Sequence, residues 1–423
     1  MIRKAILFAS FLTLAACSGS PQQGNGGGSG GGSGGGVATG GGAATGGGGA
    51  ATGGGSATGG GGAATGGGAA TGGGAATGGG SATGGGTAVD PCAPGGHTAD
   101  GGCESTFTGW NHASDLLSGR DHHVTFTGSA NGTGLLFVGG GFDATSAYSE
   151  VEVATLDGDG GVSAFTSTNG LLKPMGGQGC AQTGLNTAVL VGGLDATSNS
   201  VASTMIVQVD ATGTPNFSAG TAMNKKRYHV TANFHGGYVY AIGGLVQTVS
   251  GMSVSQSVSK SVERATFDGT TLGTWELLAD LPMPLTHHAA VVAGDSLYLL
   301  GGVSTSAALT QILKADFASD GTLGTFTNVG TLPQARATSA GFYKNGYLYL
   351  VGGGTTISGG ATASFERALI AADGSVGTWE SLADMPMARE HSHHVPWVDG
   401  FIYSTGGSDS SGYQTAVFSG KFE

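Results

Sequence analysis

The chain has 423 residues, 88 of them glycine, with 15 Lys and Arg against 27 Asp and Glu for a net charge of −12. Between Gly24 and Gly86, 36 of 63 residues are glycine and the rest almost all Ala, Thr and Ser, too little apolar surface to offset the entropy of ordering. A uniform 423-residue globule is therefore excluded. So are collagen, which needs glycine at every third position, and nucleic-acid binding, which needs a basic stripe.

In chain order, Arg3 and Lys4 precede an apolar run from Ala5 to Ala16. That is the pattern of a secretory signal over residues 1–16, too short to span a bilayer. Leu14-Ala15-Ala16-Cys17 resembles the lipobox of bacterial lipoproteins. The resemblance implies lipid attachment at Cys17 and an exported protein anchored in the bacterial envelope through that lipid. Ser18, where a retained inner-membrane lipoprotein often has Asp, points to the outer membrane, on its periplasmic face or at the cell surface. The alternative is ordinary cleavage, with Cys17 incidental.

Residues 17–89 form a linker in which Ala-Thr-Gly-Gly-Gly recurs. As a flexible coil, roughly 70 such residues span on the order of 45 Å. Two explanations stand side by side: reach away from the membrane, or repeat expansion that is tolerated. Residues 90–104 form a loop flanked by Cys92 and Cys103, expected to pair in an oxidising compartment, with Cys180 left as a small buried thiol.

From residue 105 to 423 the chain repeats about every 50 residues. Six double glycines each follow an apolar run, at Gly139-Gly140, Gly192-Gly193, Gly243-Gly244, Gly301-Gly302, Gly352-Gly353 and Gly406-Gly407. Aromatics mark a second register at Trp110, Phe165, Phe217, Trp275, Phe326 and Trp379. Six residues after each comes an apolar residue, and ten after, four of the six carry Arg: Arg120, Arg227, Arg336 and Arg389. Asp-Gly pairs such as Asp268-Gly269, Asp320-Gly321 and Asp373-Gly374 supply tight turns before the aromatics. Each unit reads as four strands, a to d: a follows the Arg, b ends at Gly-Gly, and d carries the aromatic. The last unit stops after its c strand, whereas Phe107-Thr108-Gly109-Trp110 is a d strand with no a, b or c before it. The N-terminal strand is thus expected to complete the last blade and close the ring.

These marks resemble the kelch repeat, in the Gly-Thr-Trp variant of secreted bacterial kelch proteins. The resemblance implies an all-β, six-bladed propeller. It is weakest in the second unit, where Met175 stands in place of Arg.

His122, His229, His287 and His391 lie two residues after the Arg register, with His123, His288, His393 and His394 beside them. In kelch domains the loops entering strand a line one mouth of the central channel. That implies a ligand-binding ring of Arg120, His122, Arg227, His229, His287, Arg336, Arg389 and His391, cationic and suited to an anionic ligand. The competing reading gives the same residues hydrogen bonds to loop carbonyls between blades. His391-Ser392-His393-His394 also suggests metal, but no carboxylate or thiolate accompanies it at recognisable spacing, so no metal or other cofactor is expected. Glu263 and Glu366 match across repeats, which favours a role in the blades over catalysis, and no catalytic residue is assigned. Asp157-Gly158-Asp159-Gly160 lacks the later Glu of a calcium loop and reads as a turn.

The leading expectation is a monomeric binding or scaffolding module for a protein or carbohydrate. The alternatives are a periplasmic enzyme, similar to sialic acid epimerases or to galactose oxidase with Cys180 supplying the sulfur, and a structural envelope component.

Overall fold

The computed structural model describes residues 106–305, 307–356 and 359–423. Cys17, the Gly-rich linker and the expected Cys92–Cys103 pair lie outside the described residues. The described chain is a six-bladed β-propeller, each blade a four-stranded antiparallel sheet in the order a-b-c-d, and no helix occurs in it.

Blade 1 consists of Val124–Ala130, Thr133–Gly139, Val151–Leu156 and Thr166–Ser167. Blade 2 has Gly179–Gly184, Thr187–Val191, Thr204–Val209 and Pro215–Gly220, and blade 3 has Thr231–His235, Tyr238–Ile242, Val262–Thr266 and Glu276–Leu277. In blade 4 the strands are Ala289–Ala293, Ser296–Leu300, Gln311–Asp316 and Thr327–Thr331; in blade 5, Ala340–Lys344, Tyr347–Val351, Phe365–Ile370 and Val376–Ser381. The b strands are continuous apolar runs because neighbouring blades cover both of their faces. Leu348, Tyr349, Leu350 and Val351 are all buried, whereas strands d at the rim are largely exposed.

Blade 6 closes the ring as expected. Trp397–Val398, Phe401–Thr405 and Ala416–Phe422 supply a, b and c, and Phe107–Asp115 from the other end of the described chain supplies d. Phe107 pairs with Phe422, Trp110 with Gly420 and Asp115 with Ala416. Thr106 and Glu423 exchange backbone hydrogen bonds of 2.9 Å in both directions. Phe107 also packs edge-on against Phe365 of blade 5, with centroids 4.7 Å apart, and Trp110 Nε1 donates to the Ala383 carbonyl at 3.0 Å. The closing strand thereby grips two blades.

The double glycines join the blades. The second glycine donates its N–H to the carbonyl of the Arg-register residue in the next blade: Gly193 to Arg227, Gly244 to Leu285, Gly302 to Arg336, Gly353 to Arg389, and Gly407 to Arg120 across the closure, at 2.7–2.9 Å. Both glycines of each pair have positive φ, and a Cβ on Gly192 would overlap the Arg227 carbonyl, so only glycine permits this approach. In blade 1 the pair that does this is Gly140-Gly141, with Gly141 donating to Met175 at 2.8 Å. The register expected at Gly139-Gly140 is one residue early, because Gly139 ends strand b, opposite Val124 and Val151. Three consecutive glycines make the frame ambiguous until the strand pairing resolves it.

Candidate functional site

The Arg register begins each turn into strand a, and the structure takes the four arginines away from the axis. Arg120, Arg227, Arg336 and Arg389 are no more than 1% exposed. Each donates to the carbonyl of the first glycine in its own blade: Gly140, Gly243, Gly352 and Gly406. In blades 1, 3 and 5 the guanidinium also meets a c-strand carboxylate: Arg120 with Glu152, Arg227 with Glu263 at 2.7 Å, and Arg336 with Glu366 at 3.3 Å. Glu263 in turn accepts from the backbone of Asn224 and Lys225. In these three blades one buried ion pair ties strand c, the turn entering strand a and the Gly-Gly junction. Burial lowers the Arg227 and Arg389 guanidiniums to about 10, still fully charged at neutral pH.

The histidines two residues on do converge. The six equivalent positions, His122, Gly177, His229, His287, Thr338 and His391, all adopt positive φ, between 47° and 68°. Their backbones link around the axis: Gly177 N–H to His122 O at 2.7 Å, His229 to Gly177 at 2.8 Å, Thr338 to His287 at 2.8 Å, His391 to Thr338 at 3.2 Å and His122 to His391 at 3.1 Å. At the remaining step, the His229 and His287 imidazoles lie 3.8 Å apart between centroids. His122 stacks on His391 at 4.0 Å and meets His229 edge-on at 4.7 Å, and His393 joins them at 5.6–6.1 Å.

Burial, followed by the neighbouring imidazoles, holds most of these rings neutral. His287 and His288 fall to about 3 and His394 to about 4, and His123, His229, His391 and His393 lie well below the ordinary value. The four arginines of the expected ring therefore face the blade interiors and not the axis. The arginines are spent on carbonyls inside the blades, three of them also on glutamates, and desolvation disfavours the charged form of His229, His287 and His391.

The charge at this mouth is instead acidic on the seam between blades 6 and 1. Asp121 Oδ1 lies 2.6 Å from His122 Nδ1, and Ser408 Oγ donates to Asp121 Oδ2 at 3.0 Å. His391 Nδ1 is 4.0 Å from the same Oδ2. Glu390 has its carboxyl raised by burial and by Asp121 and Asp409, with His122 opposing. The expectation of no metal-ligand set rested on spacing along the chain, whereas folding sets Asp121 against His391 across 270 residues. A signal was present: the position after the Arg register is acidic only in blades 1 and 6, Asp121 and Glu390, which ring closure makes neighbours.

Along the axis, a cavity of about 60 Å³ is lined by Gln178, Thr231, His287, His288, His393 and His394, among others. It has room for about four waters at roughly 15 Å³ each. Nδ1 of His229, His287, His288 and His394 is buried there without a protein partner among the described residues, and water would satisfy it.

Two further motifs resolve simply. Asp157 Oδ1 accepts from the backbones of Asp159 and Gly161, as a turn requires. Cys180 is a buried thiol, raised to about 12 by desolvation, in a core cluster with Phe126, Phe137, Leu190 and Met205 that contains no tyrosine.

The loops between strands b and c rise from the same face as the axial ring. The largest is the hairpin Leu245–Ser250 with Ser253–Val258 in blade 3, whose tip exposes Met252 at 83% and Val254 at 46%.

No family model matches the chain. It is 27% identical over 139 residues to beta-scruin of Limulus polyphemus, covering 32% of this chain and 14% of that protein. It is 31% identical over 86 residues to a kelch domain-containing protein of Sulfurisphaera tokodaii, covering 20% of this chain and 12% of that protein. The chain spans a small fraction of the length of both relatives. Together with six blades in the register of the repeat, these matches support a kelch-repeat protein.

Proposed function

We propose that this kelch-repeat propeller is a protein-binding module, held at the bacterial envelope by lipid on Cys17 and presented through its Gly-rich linker. The observation that carries this reading is the division of labour among the repeat residues. The arginines and glutamates that could serve chemistry are consumed inside the blades, while the loop face keeps exposed apolar residues at the tip of its longest hairpin. Exposed Met and Val on a projecting loop give a partner apolar area to bury with little reorganisation of the blades.

Both enzyme readings lose residues they depend on. Among the described residues, the arginines that a sialic-acid site would use are buried inside the blades, and the core cluster around Cys180 holds no tyrosine for a Cys–Tyr pair.

The test is crosslinking of the full-length chain in envelope preparations, with mass spectrometric identification of captured proteins. Wild type should capture a discrete protein, and Met252→Asp with Val254→Asp should lose it while melting unchanged. Capture unaffected by the double variant, or recovery of polysaccharide and no protein, would overturn the reading. Release of the Cys17→Ser chain into the soluble fraction checks the anchor separately.

A further inference from the structure

We propose that Asp121, His122 and His391 bind a divalent transition-metal ion at the axial mouth, on the seam between blades 6 and 1. One ligand atom from each lies within 4.8 Å of the other two, brought together by ring closure. Asp121 serves both histidines. Its Oδ1 holds His122 through Nδ1 at 2.6 Å, the carboxylate–histidine contact that orients metal-bound imidazoles, while Oδ2 faces His391 Nδ1 at 4.0 Å. Two ligands at about 2.0–2.2 Å from one ion lie about 3–4 Å apart, so small side-chain rotations close the set.

Independent observations point to a cation here. His391 Nδ1 is buried with no hydrogen-bond partner among the described residues, and its ring stacks on that of His122 with centroids 4.0 Å apart. Glu390 lies close enough to Asp121 for the two carboxyls to repel, and Ser408 Oγ steadies Asp121 Oδ2. Two imidazoles and one carboxylate suit zinc, cobalt, nickel, copper or iron rather than calcium or magnesium. The inference is independent of the protein-binding reading.

The experiment uses the full-length chain stripped with chelator, titrated with Co²⁺ by visible absorption and then challenged with Zn²⁺. One equivalent per chain is expected, with zinc displacing cobalt. Asp121→Asn, which removes the charge at nearly constant shape, and His391→Asn, chosen because Asn tolerates the positive φ there, should each weaken binding by about 10-fold or more. His288→Gln, away from the set, should leave it unchanged. Binding below one equivalent, or affinity equal to wild type in both site variants, overturns the proposal. Should a variant fail to fold, wild type loaded with Cu²⁺ decides: imidazole nitrogen couplings in its paramagnetic resonance spectrum support the site, and their absence overturns it.

Discussion

The guanidinium of Arg389 lies 4.7 Å from the ring centre of Phe418, at the c-strand position where Arg120, Arg227 and Arg336 each meet a glutamate. In blades 2 and 4 the same two positions hold Met175 with Met205 and Leu285 with Leu313, each pair within one core cluster. The two sites change together: ion pair, cation over an aromatic ring, or apolar contact. A buried arginine needs a partner of matching character, and where the arginine is absent a lone buried glutamate would be costly.

Phe418→Ala removes the partner and opens a cavity beneath Arg389, whose Nη2 already has no hydrogen bond among the described residues. A loss of about 3–5 kcal/mol is expected in denaturant unfolding. Phe418→Glu, which copies blades 1, 3 and 5, should recover most of it.

Removal of residues 106–115 leaves strand c of blade 6 as an unpaired edge and uncovers Phe365 and Phe422. The truncated chain should aggregate on expression, and adding the strand back as a peptide should restore solubility. A truncated chain that unfolds cooperatively as a soluble monomer would contradict closure.

Stability should fall on acidification. His288 is 2% exposed, its Nε2 is 3.0 Å from Thr231 Oγ1, and its value is lowered to about 3 by burial. Between about pH 6.5 and 3 the unfolded chain binds a proton that the folded chain refuses. Its contribution is therefore complete above pH 6.5 and shrinks by about 1.4 kcal/mol per pH unit below it. His288→Gln should flatten the decline in Tm between pH 7 and 5; superimposable slopes would contradict the assignment.

Gly192→Ala places a Cβ against the Arg227 carbonyl on a backbone with φ of 65°. It should cost several times the roughly 1 kcal/mol of an ordinary Gly–Ala difference, seen as a lowered melting temperature. Gly236→Ala, where nothing lies within 4 Å of the added Cβ, separates the cost of positive φ from that of overlap.

The propeller was legible in the sequence because its marks recur. Double glycines, aromatics and Asp-Gly turns answer backbone demands that each blade makes again, and the orphan strand at Trp110 gave the closure. The site was less legible because it is made by neighbours across the ring. Arg120 and His122 are two residues apart in the chain, yet one turns into the blade and the other to the axis. Asp121 meets His391 only when blades 6 and 1 close. Charge is hidden for the same reason: a count of Arg and His cannot show that three of the arginines pair with glutamates inside the blades, or that burial disfavours charge on His229, His287 and His391.

The claim that the repeat arginines hold blades together is tested most directly by a double-mutant cycle on Arg227 and Glu263. Each of Arg227→Leu and Glu263→Leu strands a buried charge and should cost about 3–5 kcal/mol. The double variant copies Leu285 and Leu313 of blade 4 and should return to within about 1–2 kcal/mol of wild type. Additive losses would contradict the account, as would loss of partner capture in a double variant of wild-type stability.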